Sequence, residues 1–509
     1  MADTVREIER KYEADGRHEL PDLSRVAGVA SVVAQPPQEL DAVYYDTEDR
    51  RLAAAGITLR RRTGGDDAGW HLKLPVAPGV RDEVRAPLSP AVPRVLADLV
   101  RCRTRRAGLA PLVRIVSRRS VHRLFDDAGA LLAEASADSV TADRLAHGGR
   151  SAQWTEFEVE LAEGIDPAFL DTVEKRLRKA GLRPSAAPSK LARALAETDP
   201  APARAGAEPP KRPGGPTAGD HVLRYVREQA EALLVLDTAV RRDLPDSVHQ
   251  MRVATRRMRS AFRSYGGVLD RAVTDPVGEE LKWLAAELGV DRDQEVLGER
   301  LQARIAALPR TLLLGPVRRR LRTSTSARRT GSRRRTVGVL DGKRYLALLD
   351  TLDALLADPP LRPAAARPVR EVLPKAVLRD YRRLAGRVTS ALALQPGHER
   401  DLAMHEARKA AKRARYAAEA ATPALGGAAK RFAGRMKDVQ TVLGDHQDSC
   451  VAREALRALA VQAHAAGEPS FTWGLLYGQE AASAAERERE LPKVWARASK
   501  RKLRERLGA

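Results

Sequence analysis

The segment Glu7-Ile8-Glu9-Arg10-Lys11 constrains this chain more than any other. As a strand, its period of two puts Glu7, Glu9 and Lys11 on one face. A half-buried strand normally turns apolar residues inward, whereas this one turns two carboxylates and an ammonium the same way. Like charges that close are costly unless something neutralises them, and a divalent cation is the usual agent. The pattern recurs along the chain. Arg60 and Arg62 share a face; Lys73 lies opposite Trp70, Leu72 and Leu74; Arg81, Glu83 and Arg85 share a face; and Glu156, Glu158 and Glu160 alternate with Phe157, Val159 and Leu161. A sheet with apolar residues outside and charges inside makes sense as a barrel whose lumen is the functional site. Cationic strands would hold a polyanion there, and carboxylate strands the metal ions that accompany it.

These residues resemble the CYTH family of triphosphate tunnel metalloenzymes, whose mark is an ExExK strand, matched by Glu7, Glu9 and Lys11. Tyr44-Tyr45-Asp46-Thr47, Gly56 to Arg62, Gly69 to Lys73, the ExExE strand at Glu156, Glu158 and Glu160, and Ser189-Lys190 follow in family order. The resemblance implies that Lys11, Arg60, Arg62, Lys73, Arg119 and Lys190 bind substrate phosphates. It also implies that Glu7, Glu9, Asp138, Glu156, Glu158 and Glu160 hold one or two Mg²⁺ or Mn²⁺ ions. Glu7, Glu9, Lys11 and Lys73 are the catalytic candidates. Arg119 best fits the family's later substrate arginine, with Arg114 and Arg118, on the opposite strand face, competing for the role.

Length and charge set the rest of the frame. A chain of 509 residues is expected to form two or more domains. A net charge of +22 calls for a polyanionic partner: nucleic acid, phosphate polymer or an anionic surface. Aromatics at 4% argue against a base-stacking platform for single strands. Cys102 and Cys450 give neither a disulfide framework nor zinc spacing. The acidic N-terminus and the lack of a long apolar run predict a cytoplasmic protein that does not enter the membrane, with polyphosphate granules as a further location.

Residues 200–219 are rich in Pro, Ala and Gly and read as a linker between a domain at 1–199 and one at 220–509. Past the linker, long Ala-, Leu-, Arg- and Glu-rich segments predict an all-helical domain. It contains a duplication, expected over about 220–310 and 370–509. His249, Arg252, Arg256, Arg259 and Arg263 fall along one helical stripe, and His405, Arg408, Lys412 and Arg415 repeat its first four positions. Downstream, Leu288-Gly289 and Leu443-Gly444 recur at the same offset to within one residue, followed by Asp293 and Asp448, which are expected to brace the basic helices. A phosphate chain suits such a stripe, because its charge repeats regularly and Arg and Lys engage phosphate oxygens by charge-assisted bonds. This half resembles the CHAD domain, an α-helical domain linked to inorganic polyphosphate; zinc ligation by His249 or His405 lacks a second ligand at i+4. Arg310 to Arg335 holds ten arginines and no carboxylate and reads as a flexible basic loop, able to bind polyanions or, nonspecifically, nucleic acid.

The expected fold is therefore α+β multidomain: an antiparallel β-barrel tunnel followed by a duplicated helical bundle. The expected function is a metal-dependent triphosphatase, hydrolysing inorganic triphosphate, tethered to a polyphosphate-binding module. A binding-only polyphosphate scaffold and a tunnel acting on thiamine or nucleoside triphosphates are the alternatives.

Overall fold

A computed structural model describes residues 3–14, 16, 19–145, 149–198, 216–329 and 332–508, with backbone alone for 3, 290–294, 324–329 and 332. Most of the expected linker thus lies outside the described residues. The chain divides into two compact units, 1–210 and 211–509.

The first unit is a closed antiparallel barrel. Its strands are β1 (Asp3–Glu13), β3 (Gln38–Asp46), β4 (Thr58–Thr63), β5 (Gly69–Ala77), β6 (Val80–Ala86), β7 (Ala110–Phe125), β8 (Leu131–Arg144) and β9 (Ser151–Leu161), with short β2 (Ser31–Ala34) on β7 and β10 (Arg183–Pro184) on β1. The order β1-β6-β5-β4-β3-β7-β8-β9 closes through pairing of β9 with β1. The alternation read from the sequence decides which way each strand faces. Phe157, Val159 and Leu161 turn outward with Tyr12 and pack on Leu170, Val173 and Leu177 of the helix Phe169–Lys179. On the opposite wall Leu59, Trp70, Leu72 and Leu74 pack on Leu96 and Leu99. Asp46 accepts the amides of Thr47, Leu52 and Ala53 at 2.7, 2.9 and 2.8 Å, so the Tyr-Tyr-Asp-Thr motif caps the turn that follows β3.

The lumen is not uniform. At one end its inward positions become apolar: Ala42, Tyr44, Ile115, Val140, Ala142 and Trp154 pack on Leu191 and Ala194 of the helix Lys190–Thr198. That helix fills the end of the barrel and puts its first residue, Lys190, among the charges.

The second unit is helical. A capping box at Thr217 and Asp220 starts the helix Ala218–Arg241. The two basic stripes lie on Ser247–Ser264 and on the first part of His398–Ala465, a helix kinked at Gly426 where φ is 60°. The repeats are stitched by buried polar contacts: Tyr265 donates to the Ala417 carbonyl at 2.7 Å, and Asp380 accepts from Ser264 at 2.5 Å and pairs with Arg413 at 2.9 Å. The Arg-rich segment, expected to be a flexible loop, is instead helical over Val317–Arg329 and Ser332–Asp341 in its described residues. Val317 and Leu321, one turn apart, pack against Leu301, Ile305 and Trp473, and that packing holds a helix which charge alone would not favour. Among the described residues no helix is long and apolar enough to cross a membrane.

Candidate active site in the barrel lumen

A cavity of 670 Å³ occupies the open part of the lumen, and its lining carries cationic and carboxylate side chains in nearly equal supply. Glu7, Glu9, Lys11, Arg60, Arg62, Lys73, Arg119, Glu158, Glu160 and Lys190 all line it, as the strand periodicity requires. Arg119 faces the cavity, whereas Arg114 and Arg118 are exposed, Arg114 pairing with Asp41 at 2.6 Å on the outside.

The charges separate into two poles. At the cationic pole, burial and the neighbouring Arg60 and Arg119 push the Arg62 guanidinium down to about 9. At the carboxylate pole, burial and the charge of Glu7 push the Glu160 carboxyl up to about 7. The register explains this crowding: Glu9 and Glu134, on the strands either side of β9, both stand opposite Glu160. Like charges placed directly opposite destabilise a sheet. Arg62 is paired with Asp67 and Arg60 lies near Glu83, yet the arginines still crowd one another at one pole, as the carboxylates do at the other.

Between the poles the side chains pair. Lys73 contacts Glu7 at 2.6 Å, and Lys11 bridges Glu158 and, at 3.3 Å, Glu9. Asp138 and Glu156, read from the sequence as metal ligands, do not line the cavity. Their oxygens and one of Glu158 lie within 4.8 Å of one another, a spacing suited to a cation, and the Lys190 ammonium stands among them at 2.9, 2.7 and 2.8 Å. Asp138 also takes both ends of the Arg119 guanidinium, at 2.8 and 2.7 Å, and Trp154 donates to Glu156 at 2.8 Å. The lumen's all-oxygen carboxylate set fits a hard divalent ion such as Mg²⁺ or Mn²⁺.

Several lining residues carried no role in the sequence analysis. Glu83 lies within reach of Lys73 at 3.6 Å, Arg60 at 3.7 Å and Arg85; against burial, the hydrogen bond to His71 and then the charges of Lys73 and Arg60 hold its carboxyl far below the usual range. Its inward parity with Arg81 and Arg85 was readable; its position at the meeting point of three strands' cations was not. Tyr44 contributes its hydroxyl to Arg60 at 3.4 Å.

In the helical unit the stripes are brought together. Burial, then Arg408 and then Arg256 of the other repeat, push the Lys412 ammonium down to about 7, with Arg415 adding to the effect. The LG motif has a packing reason in the first repeat: a Cβ at Gly289 would stand 2.6 Å from the Arg252 guanidinium, whereas one at Gly444 would stand 3.7 Å from that of Arg408. Only at Gly289 does the missing Cβ make room for the first arginine of the stripe; at Gly444 the distance is an ordinary contact. Asp448 braces Arg408 at 3.6 Å; the side chain of Asp293 lies outside the described residues. His249 and Arg263 are exposed, Arg263 reaching Glu279 at 3.5 Å, while Arg259 and His405 are half-buried.

Family models match a CYTH domain over residues 5–195 and a CHAD domain over residues 224–457. Two Mycobacterium tuberculosis proteins, from strains H37Rv and CDC 1551, are each 42% identical over 502 residues, covering 95% of this chain and 94% of theirs. Among solved structures, PptA from Streptomyces chartreusis is 21% identical with a TM-score of 0.45, spanning 55% of this chain and 99% of that one. The CHAD domain from Ricinus communis is 24% identical with a TM-score of 0.45, over 56% and 92%. A Hippeastrum protein described as an adenylyl cyclase with a dominant triphosphatase activity is 18% identical with a TM-score of 0.24, over 39% and 97%.

Proposed function

Because the chain belongs to the CYTH–CHAD proteins, a tunnel domain followed by a helical domain, we propose that it is a metal-dependent triphosphatase whose barrel hydrolyses inorganic triphosphate and whose helical unit binds inorganic polyphosphate. The observation that carries this reading is the division of one lumen into an arginine-crowded pole and a carboxylate-crowded pole. A metal–triphosphate complex offers phosphate oxygens to the arginines and a cation to the carboxylates.

Arg60, Arg62 and Arg119 would take the phosphate oxygens by charge-assisted bonds, with Lys11, Lys73 and Lys190 completing the cradle. Glu7, Glu9, Glu158 and Glu160 would hold the ion, while Asp138 and Glu156 keep Lys190 and Arg119 in place. A bound Mg²⁺ or Mn²⁺ supplies charge neutralisation on the phosphoryl oxygens, as in other phosphoryl transfers. Water attacks a terminal phosphorus, the bridging P–O bond breaks, and phosphate and diphosphate leave. The chain's own part is positioning and electrostatics; no nucleophilic side chain is required. Tyr44 is the aromatic side chain of the lining among the described residues, and its hydroxyl is engaged by Arg60, which favours an inorganic substrate over a nucleotide needing a stacking surface.

In the helical unit, a polyanion laid across Arg256, Arg408, Lys412 and Arg415 would offset the burial and the mutual repulsion that together depress Lys412. Phosphate release from tripolyphosphate, thiamine triphosphate and nucleoside triphosphates, with Mg²⁺ or Mn²⁺ and with chelator, tests the first half. Isothermal titration of the full chain with long-chain polyphosphate, with duplex DNA as control, tests the second.

A further inference from the structure

His71 sits on β5 two residues before Lys73, turned into the lumen wall and 2% exposed. Its two ring nitrogens have different partners. Nε2 lies 2.9 Å from the backbone carbonyl of Asp67. A carbonyl oxygen only accepts, so Nε2 must carry hydrogen. Nδ1 lies 3.0 Å from Glu83 Oε1, in a pair where both side chains are about 1% exposed. With Nε2 already protonated, a neutral ring would aim a bare Nδ1 lone pair at a carboxylate oxygen, with no water to separate them. The contact is favourable only if a second proton lies between Nδ1 and Oε1. Glu83 is the poorer place for it, because Lys73, Arg60 and Arg85 all favour its ionised form. The contact geometry therefore favours the ring as the site of that proton. Burial, and then the charges of Arg60 and Arg62 on β4, pull the ring below its ordinary value of 6.5 despite Glu83 on β6, so the case for the second proton rests on the two acceptors that face the ring nitrogens.

What the ring connects gives it a role. Glu83 is the carboxylate around which Arg60, Lys73 and Arg85 gather. Asp67, whose carbonyl takes the other nitrogen, pairs through its side chain with Arg62. One buried ring thus ties together the anchors of cations from β4, β5 and β6.

We propose that His71 is a positioning residue of the lumen: a doubly protonated imidazole that locks the Glu83 carboxylate and the Asp67 turn in register, and so fixes where Arg60, Arg62 and Lys73 meet the substrate. The role in positioning rests on the reading of the lumen as a triphosphate site; the protonation state does not. A singly protonated ring, or a glutamine, satisfies one partner and leaves the other free to turn, and the cations then lose their shared geometry.

Two measurements on the full chain test this separately. In the wild-type protein at pH 7, the ¹⁵N shifts of His71 should show both ring nitrogens bearing hydrogen; a single N–H ring overturns the proposal. For His71→Gln, KM for tripolyphosphate should rise about tenfold or more, with kcat falling by a smaller factor, because ground-state phosphate contacts are what loosen. An unchanged KM in a folded variant overturns the positioning role. Should His71→Gln fail to fold, Glu83→Gln, which keeps the shape and removes the charge that holds the proton, takes its place: the His71 shifts should then revert to a neutral ring, and their persistence as imidazolium overturns the account. Wild-type protein that releases no phosphate from any triphosphate refutes the reading of the lumen, and leaves the ¹⁵N shifts to decide the proton.

Discussion

Glu160→Gln should make the barrel more stable in the absence of metal while damaging its function. Glu160 stands on β9 opposite both Glu9 and Glu134, and its carboxyl is raised from an ordinary 4.5 to about 7 by burial and by Glu7. That difference corresponds to about 3 kcal/mol. The sign follows from proton counting. Between pH 4.5 and 7 the folded state binds the proton more tightly than the unfolded chain does, so stability falls as pH rises through that window and the whole penalty is present above pH 7. A neutral isostere removes it. At pH 8 without metal, Glu160→Gln should therefore raise the barrel's unfolding midpoint by roughly 6–12 °C, whereas at pH 5 the gain should shrink to under about 1 kcal/mol. Added Mg²⁺ or Mn²⁺ should reverse the ranking, since the wild-type carboxylate gains its counter-ion and the amide does not. Calorimetry at the two pH values, with and without metal, reads all four corners. A variant that is less stable than wild type at pH 8 without metal would refute the claim that crowding of the carboxylates strains this pole.

Other expectations follow from the same geometry. Glu7→Ala or Glu158→Ala should lower tripolyphosphate turnover by at least ~100-fold, because the lost charge stabilisation amounts to several kcal/mol. Asp138→Asn should act mainly on stability, costing about 3–5 kcal/mol by denaturant unfolding, since it breaks a buried arrangement with Arg119 and Lys190. Polyphosphate binding at pH 8 should take up close to one proton, read from the buffer dependence of the binding enthalpy, because Lys412 is mostly neutral there when free and charged when bound; Lys412→Ala should abolish the uptake. Gly289→Ala should displace the Arg252 guanidinium and weaken polyphosphate binding, whereas Gly444→Ala has ordinary contact distances and should gain about 0.5–1 kcal/mol of helix stability.

The barrel was legible because its signal is local. A period of two needs only neighbouring residues, and it told lumen from core on β1, β4, β5, β6 and β9 before any pairing was known. The helical stripes were legible for the same reason, with a period of 3.6. Information that depends on which distant strands meet was not. Nothing near Lys190 in the chain announces that its helix fills the end of the barrel, or that its ammonium stands among Asp138, Glu156 and Glu158. The resemblance implied one metal-ligand role for Asp138, Glu156, Glu7 and Glu9 alike, and parity does not tell carboxylates that line the cavity from those that surround Lys190. His71 was visible within its motif, but its protonation depends on Glu83 from β6 and on a turn carbonyl. The Arg-rich segment misled by composition: two apolar residues one turn apart, Val317 and Leu321, outweighed ten arginines once a partner surface existed.

The central claim is that one lumen binds a triphosphate at its arginine pole and a divalent ion at its carboxylate pole, and that the pair reacts with water. Its most direct test is phosphate release from tripolyphosphate by the purified full-length chain, with Mg²⁺ or Mn²⁺, against chelator and against a Glu7→Ala/Glu158→Ala variant. The account predicts turnover that requires metal and falls at least ~100-fold in the variant. Turnover that persists in chelator or in that variant, or none from any triphosphate with either metal, would contradict it.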